Sequence, residues 1–213
     1  MTKKIDLIIQ ARVGSSRLPG KTLLDLAGAP LVGRIIERTL RCKNVDDIIL
    51  AIPETSENFP LKNIGIKYGV KVFQGSENDL VERFYQAAKL NNSKYICRLP
   101  ADNPTPEPSE IDRMIKHHLG LEKKGFSTNL AEVNDSGYPD GIGIEVFDFD
   151  LLAHVRNNIY ESNKREHIHL NFFDYSTGKA VDNSWCPINT ISCPKEFRRP
   201  ELILDVNTKE QYF

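Results

Sequence analysis

Apolar and polar residues follow two alternating rhythms through the first half of the chain. Short apolar runs over residues 4–9, 47–52, 70–74 and 95–99 predict strands, the first carrying Ile5, Leu7, Ile8 and Ile9. Between them, apolar residues recur at helical spacing. Leu31, Ile35, Ile36 and Leu40 share one face of a helix over 30–41, and Leu80, Val81, Phe84, Ala87 and Ala88 share one face of a helix over 78–90. Helices over 61–68, ending near Gly69, and over 107–119 complete the set. Apolar strands alternating with amphipathic helices predict an α/β fold. The expected architecture is a single doubly wound, mostly parallel, Rossmann-like sheet in a three-layer α/β/α arrangement.

From residue 120 the rhythm changes. Residues 125–130 and 142–147 read as strands around a polar loop over 131–140, and 149–158 as a helix. Residues 166–173 are apolar and mixed, 185–191 suit an edge or hairpin strand, and 202–206 read as a final core strand. No repeat, low-complexity segment or linker interrupts the chain, so residues 1–213 are expected to form one domain. In it, about 120–195 form a small elaboration for substrate binding and dimerisation.

The 213 residues suffice for one sizeable core. With 28 Lys+Arg against 29 Asp+Glu, charge is balanced, which argues against a nucleic-acid surface and makes any anion site local. No apolar run approaches the ~20 residues of a membrane span. Met1-Thr2-Lys3-Lys4 before a short strand containing Asp6 makes a poor signal peptide. Cys42, Cys97, Cys186 and Cys193 form no C-x-x-C pair and have no histidines at zinc spacing, so reduced, mostly buried thiols in a cytoplasmic protein are expected.

Chemistry concentrates where the first strand ends. Gln10-Ala11-Arg12-Val13-Gly14-Ser15-Ser16-Arg17-Leu18-Pro19-Gly20-Lys21 puts small residues beside three cations. Small residues let a backbone approach a ligand, and Arg and Lys add charge-assisted bonds to phosphate oxygens. The loop is not a Walker motif: five residues separate Gly14 from Gly20 where that motif has four, and Pro19 removes a backbone donor. The alternative is a turn that happens to be basic. A triphosphate cradle explains the loop better.

At the end of the fourth strand, Arg98-Leu99-Pro100-Ala101-Asp102-Asn103-Pro104 places a carboxylate where open α/β sheets bind ligands. Asp102 reads as a Mg2+ ligand against phosphate oxygens, or as a turn residue before proline. Asp205, within Leu202-Ile203-Leu204-Asp205-Val206-Asn207, reads as a second ligand of the same cation, or as a cap for residues 208–213. Arg165-Glu166-His167 reads as a contact to an acidic substrate, or as a polar helix start with solvated charges.

Several motifs in order carry a resemblance over nearly the whole chain. They are Ile9-Gln10-Ala11-Arg12-x-Gly14-Ser15-x-Arg17-Leu18-Pro19-Gly20-Lys21, then Val72-Phe73-x-Gly75-Ser76-Glu77-x-Asp79-x-x-x-Arg83-Phe84, then Arg98-x-x-Ala101-Asp102-Asn103-Pro104. Tyr138-Pro139-Asp140-Gly141-x-x-x-Glu145-Val146-Phe147, Arg165-Glu166-His167 and Leu204-Asp205-Val206-Asn207-Thr208 complete the series. It resembles the cytidylyltransferases that make CMP-activated sugar acids, nearest the spore-coat polysaccharide biosynthesis protein F branch.

The resemblance implies Mg2+-dependent transfer of CMP from CTP to a sugar or sugar acid, with release of pyrophosphate, in surface polysaccharide or glycoconjugate biosynthesis by a homodimer. It implies that Arg12, Lys21 and Asp102 are catalytic. Ala11, Arg12, Gly14, Ser15, Arg17 and Lys21 would hold the nucleotide phosphates, while residues 51–53 and 74–79, with Gly75, Ser76 and Asp79, would surround the base and ribose. Asn129, Tyr138, Asp140, Glu145, Arg165, Glu166 and His167 would contact the acceptor, and Asp102 and Asp205 would bind Mg2+. Two residues depart from the pattern: Asn207 stands where a second acid is common, and Gly143 where many relatives of this branch have an acid. A glycosyltransferase consuming a nucleotide sugar on a similar fold is the alternative enzyme. A non-catalytic nucleotide-binding subunit is the alternative without chemistry.

Overall fold

The structure is a computed structural model, and it describes residues 4–15, 17–123, 125–133 and 136–212. In chain order the elements are β1 (Ile5–Gln10), α1 (Leu31–Thr39), β2 (Asp47–Pro53), α2 (Phe59–Lys67), β3 (Lys71–Gly75), α3 (Leu80–Leu90), β4 (Tyr95–Pro100) and α4 (Pro108–Gly120). Next come β5 (Phe126–Thr128), β6 (Glu145–Asp148), α5 (Phe149–Asn158), α6 (Ser162–Glu166), β7 (Phe173–Asp174), β8 (Lys179–Ala180), β9 (Ile188–Asn189) and α7 (Lys209–Tyr212).

Seven strands form one sheet in the order β3-β2-β1-β4-β6-β5-β9, and β7 pairs with β8 separately. β1 to β4 are parallel, β6 runs against β4 and β5, and β9 runs with β5. This is the mostly parallel α/β sheet expected. Chain order reverses between β1 and β4, the switch point beyond whose carboxyl ends such sheets bind ligands.

The pleat explains the three layers. Leu7 and Ile9 of β1 and Cys97 and Leu99 of β4 pack with Ile35 and Ile36 of α1, Leu61 of α2 and Ile111, Met114 and Ile115 of α4. The alternate residues Ile8, Ile49 and Ile96 pack on the opposite face with Val81 and Phe84 of α3 and Leu152 and Val155 of α5. Asp6 interrupts the buried run of β1, and its carboxylate accepts from Asn91 Nδ2 at 2.6 Å and from Ser93 Oγ, which anchors the turn after α3. Cys97, Cys186 and Cys193 are buried, Cys42 is half-buried, and burial pushes the Cys42 and Cys186 thiols up to about 12.

The expectation of a final core strand over 202–206 is corrected. Leu202 is 42% and Ile203 64% exposed, and only one isolated bridge, Asp140 to Ile203, forms there. The segment is an extended strap. Asp140 N donates to Leu202 O (3.0 Å), Leu204 N to Asp140 O (2.9 Å) and Val206 N to Asp102 O (2.8 Å). Gly141, at φ +97°, permits the approach: a Cβ there would stand 2.8 Å from Asp205 N. The strands expected over 125–130 and 142–147 are shorter, and residues 142–144 lie outside β6.

Candidate active site

Residues 11–24 fold back over the carboxyl end of β1. Gly20, at φ +68°, turns the chain so that its N–H donates to Val13 O at 3.1 Å. Thr22 Oγ1 donates to Arg12 O at 3.2 Å, and Val13 N to Asn58 Oδ1 at 2.9 Å. The folded loop borders a cavity of about 430 Å³, the size of a small-ligand site. Ala11, Arg12, Gly14, Ser15, Arg17 and Lys21 all line it, as do Asp102, Asp140, Glu145, Glu166, His167 and Asp205. Ser16, quoted with the loop, is outside the described residues.

The strap closes the cavity against this loop. Lys21 Nζ, nearly buried, donates to Asp102 Oδ2 (3.4 Å), Val206 O (3.1 Å) and Asn207 Oδ1 (3.1 Å). Arg17 Nη2 donates to the same Asn207 oxygen at 2.7 Å, while the Asn207 amide donates to Asp205 Oδ2. Asn207 thus ties two loop cations to a carboxylate, work its neutral amide does by accepting and donating at once. Among the described residues the Arg12 guanidinium has one ion pair, with Glu166 at 3.5 Å, both side chains being close to half exposed.

Burial raises the Asp205 carboxyl above its ordinary range, and Asp140 and Asp102 push it further, against Lys21 and Arg17. Asp140 is raised by burial, then by Glu132 and Asp102. Crowded carboxylates of this kind suit a hard divalent cation. Among the described residues no three His, Cys, Asp or Glu side chains gather as a metal cage. A cation between Asp102 and Asp205 would therefore take its other ligands from phosphate oxygens and water, as Mg2+ commonly does.

The inner wall is built on the sheet. Arg98 and Glu145 stand directly opposite in the β4–β6 register, paired at 2.5 Å with side chains only 5% and 3% exposed. Arg98 Nε also donates to Gln10 Oε1 at 2.8 Å. His169 and Tyr175 complete this end. Burial, reinforced by Arg98 and His167, pushes the His169 imidazole down to about 3 and keeps it neutral.

Gly75, Ser76, Asp79, Asn129, Tyr138 and Arg165 do not line the cavity. Asp79 caps α3, accepting from Glu82 N at 2.8 Å, and pairs with Arg165 at 2.5 Å. Arg165 also donates to Arg156 O at 2.8 Å, so its guanidinium fastens α6 to α3. Ser76 Oγ accepts from Asp79 N at 3.1 Å, and Gly75 packs against the Phe73 ring. Tyr138 is fully buried and its hydroxyl donates to Glu110, while Asn129 Oδ1 accepts from Ile144 N at 2.8 Å. As placed, these six residues stand outside the lining of the cavity.

Arg83, Arg98, Glu132, His169 and Tyr175 line the cavity and were not among the expected site residues. Arg83 is 4% exposed, and burial, then Arg12, pushes its guanidinium down to about 10. Its Nη1 donates to Ser76 O at 2.6 Å. A signal existed for two of them. Arg83 falls on the apolar face of α3 and Arg98 inside an apolar strand, where an unexplained charge marks a site.

A basic loop and a strand-end acid across the switch point of such a sheet define a nucleotidyltransferase. The cytidylyltransferase family model matches residues 7–174, and the chain belongs to that family. It is 30% identical to the spore coat polysaccharide biosynthesis protein SpsF of Bacillus subtilis over 210 residues, 96% of this chain and 82% of that one. It is 36% identical to an uncharacterized protein of Methanocaldococcus jannaschii, spanning 65% of that protein's length and 78% of its own. It spans about half the length of the 3-deoxy-manno-octulosonate cytidylyltransferases it matches, being 31% identical to that of Anaeromyxobacter sp. strain K over 53% of this chain and 46% of that one. A cytidylyltransferase structure from Leptospira borgpetersenii superposes at TM-score 0.87 with 29% identity, covering 99% of this chain and 84% of that one.

Proposed function

We propose that the chain transfers CMP from CTP to a sugar or sugar acid, releasing pyrophosphate, in surface polysaccharide or glycoconjugate biosynthesis. The observation that carries this reading is the meeting of Lys21 with Asp102 across the β1–β4 switch point, in a cavity that Arg12 and Arg17 also line. The relatives named for cytidylyl transfer and spore coat polysaccharide synthesis support the nucleotide and the pathway class.

Arg12, Arg17, Lys21 and the Gly14–Ser15 backbone receive the phosphates, and Arg12, the least committed of the three cations, swings in most freely. Asp102 and Asp205 hold Mg2+, which neutralises phosphate charge when bound. The acceptor oxygen attacks the α-phosphorus, so the protein's work is positioning and charge compensation. A homodimer through residues 120–195 belongs to the same proposal.

The test is pyrophosphate release with CTP, GTP, UTP or ATP plus Mg2+ over a sugar panel. CTP is expected to be preferred. Asp102→Asn is expected to lower kcat at least a hundredfold while CTP still raises Tm. Full turnover in that variant would return the chain to a role in which Asp102 is dispensable.

A further inference from the structure

Among the described residues Arg83 is a buried cation that no carboxylate touches. It stands on α3 among the apolar residues Leu80, Val81, Phe84 and Ala87, is 4% exposed, and lines the cavity. Its Nη1 donates to Ser76 O at 2.6 Å and, more weakly, to Glu77 O at 3.5 Å. Its Nε is buried without a hydrogen-bond partner among the described residues. Glu77 and Asp79 act on it only through space, and Asp79 is already paired with Arg165 at 2.5 Å. Arg98 makes the contrast: it is equally buried, and Glu145 at 2.5 Å supplies its counter-charge. A buried guanidinium lacking such a partner costs stability in the empty protein, and its unpaired N–H adds to the cost.

What completes Arg83 is indicated by its neighbour. After burial, the charge of Arg12 does most to push the Arg83 guanidinium down, so the two cations stand close enough to repel. Arg12 is tied only to half-exposed Glu166, a partner it can release. Two like charges on one cavity suit an anion placed between them. With Nη1 spent on the Ser76 carbonyl, the free edge of Arg83 is the side-on fork containing Nε, which matches two oxygens of a phosphate. Provided that the chain uses CTP as proposed, that anion enters with the nucleotide. We propose that Arg83 is a nucleotide-binding residue whose Nε–H donates to a phosphate oxygen of bound CTP, sharing that phosphate with Arg12. The ligand then supplies the counter-ion that the fold withholds, and Nη1 couples the same phosphate to the loop between β3 and α3.

The experiment uses the full chain with Mg2+. Wild type, Arg83→Gln and Arg83→Lys are titrated with CTP, read by calorimetry, and with cytidine as the uncharged control, read by ligand-observed NMR. Arg83→Gln is expected to weaken CTP at least tenfold and cytidine less than about twofold. Arg83→Lys, which keeps the charge without the planar fork, is expected to fall between wild type and Arg83→Gln on CTP. Without ligand, Arg83→Gln is expected to melt no more than about 2 °C below wild type, because it removes an uncompensated charge. Equal weakening of CTP and cytidine would overturn the proposal, leaving Arg83 to shape the loop through Ser76. Unchanged CTP affinity would overturn it too, and a raised KM for an acidic sugar in that variant would move the anion to the acceptor. Should Arg83→Gln fail to fold, Arg83→Lys decides the comparison: a loss of at least about threefold on CTP alone is expected, and no loss overturns the proposal. These failures leave CMP transfer standing, whereas absence of CTP binding to wild type would overturn the transfer reading itself, and this inference with it.

Discussion

Glu145→Gln should be among the most costly single changes in the sheet. The substitution keeps the shape but leaves Arg98, almost wholly buried, without its counter-charge. Gln10 Oε1 at 2.8 Å would still accept from Nε, and the new amide oxygen from Nη1, so hydrogen bonding survives and charge compensation does not. Removing one partner of a buried pair typically costs about 3–5 kcal/mol, because the remaining ion has lost water and gained nothing in exchange. For a chain of this length each kcal/mol moves Tm by roughly 2–4 °C, so the expected drop is roughly 6–20 °C. The companion Arg98→Met with Glu145→Leu removes both charges and should return most of the loss, since an apolar pair of similar volume often equals a buried ion pair. The assay is calorimetry on wild type, on Glu145→Gln, and on Arg98→Met, Glu145→Leu and their double, the last three closing a cycle with wild type. A drop below about 2 °C for Glu145→Gln, or a double variant less stable than either single one, would refute the reasoning.

Three other outcomes are expected. Arg165→Ala should cost about 1–2 kcal/mol in denaturant melts, and Asp79→Asn should cost little more in its presence, because the two share one partly buried pair. An Arg165→Ala variant of unchanged stability but acceptor KM raised more than tenfold would show that Arg165 serves the substrate after all. Gly141→Ala should cost about 1–3 kcal/mol and also weaken CTP binding, since its Cβ would displace Asp205; calorimetry and CTP titration read the two effects. His169, held at about 3 against an unfolded value near 6.5, binds fewer protons when folded. Its contribution is complete above about pH 6.5 and is lost as pH falls toward 3, about 2 kcal/mol by pH 5. Wild type should therefore lose that much more than His169→Gln between pH 7.5 and 5, and parallel melting curves would contradict the assignment.

How far the sequence could be read depended on how local each determinant is. The helix over 149–158 matches α5 residue for residue, because its period and its flanking residues lie within the element. The loop at 11–21 was legible for the same reason: its Gly, Ser and basic residues border the cavity from neighbouring positions. Leu202-Ile203-Leu204 misled because an apolar run says nothing about whether a neighbouring strand is available, and here the segment pairs with Asp140 alone instead of extending along a strand of the sheet. Arg165 and Asp79 are 86 positions apart, a pairing that composition and spacing do not encode. Glu132, His169 and Tyr175 reach the cavity through loops and short elements whose paths are set by tertiary packing.

The strap over 202–208 is fastened to the rest of the protein by a few backbone bonds and by Lys21, Arg17 and the Asp205–Asn207 link, while Leu202 and Ile203 remain in solvent. Beyond these polar ties its apolar anchors are Val206, buried in the core, and Leu204, packed near Tyr138, a small set that makes the strap a unit opening below the global unfolding free energy. Each opening separates Asp205 from Asp102 and frees Lys21, while the β1–β4 ladder stays paired. Amide exchange should therefore find Val206 exchanging much faster than Ile8 or Ile96, and slowing when nucleotide and metal bind across the strap. The protein would then fold its sheet first and finish its active site last, from both ends of the chain.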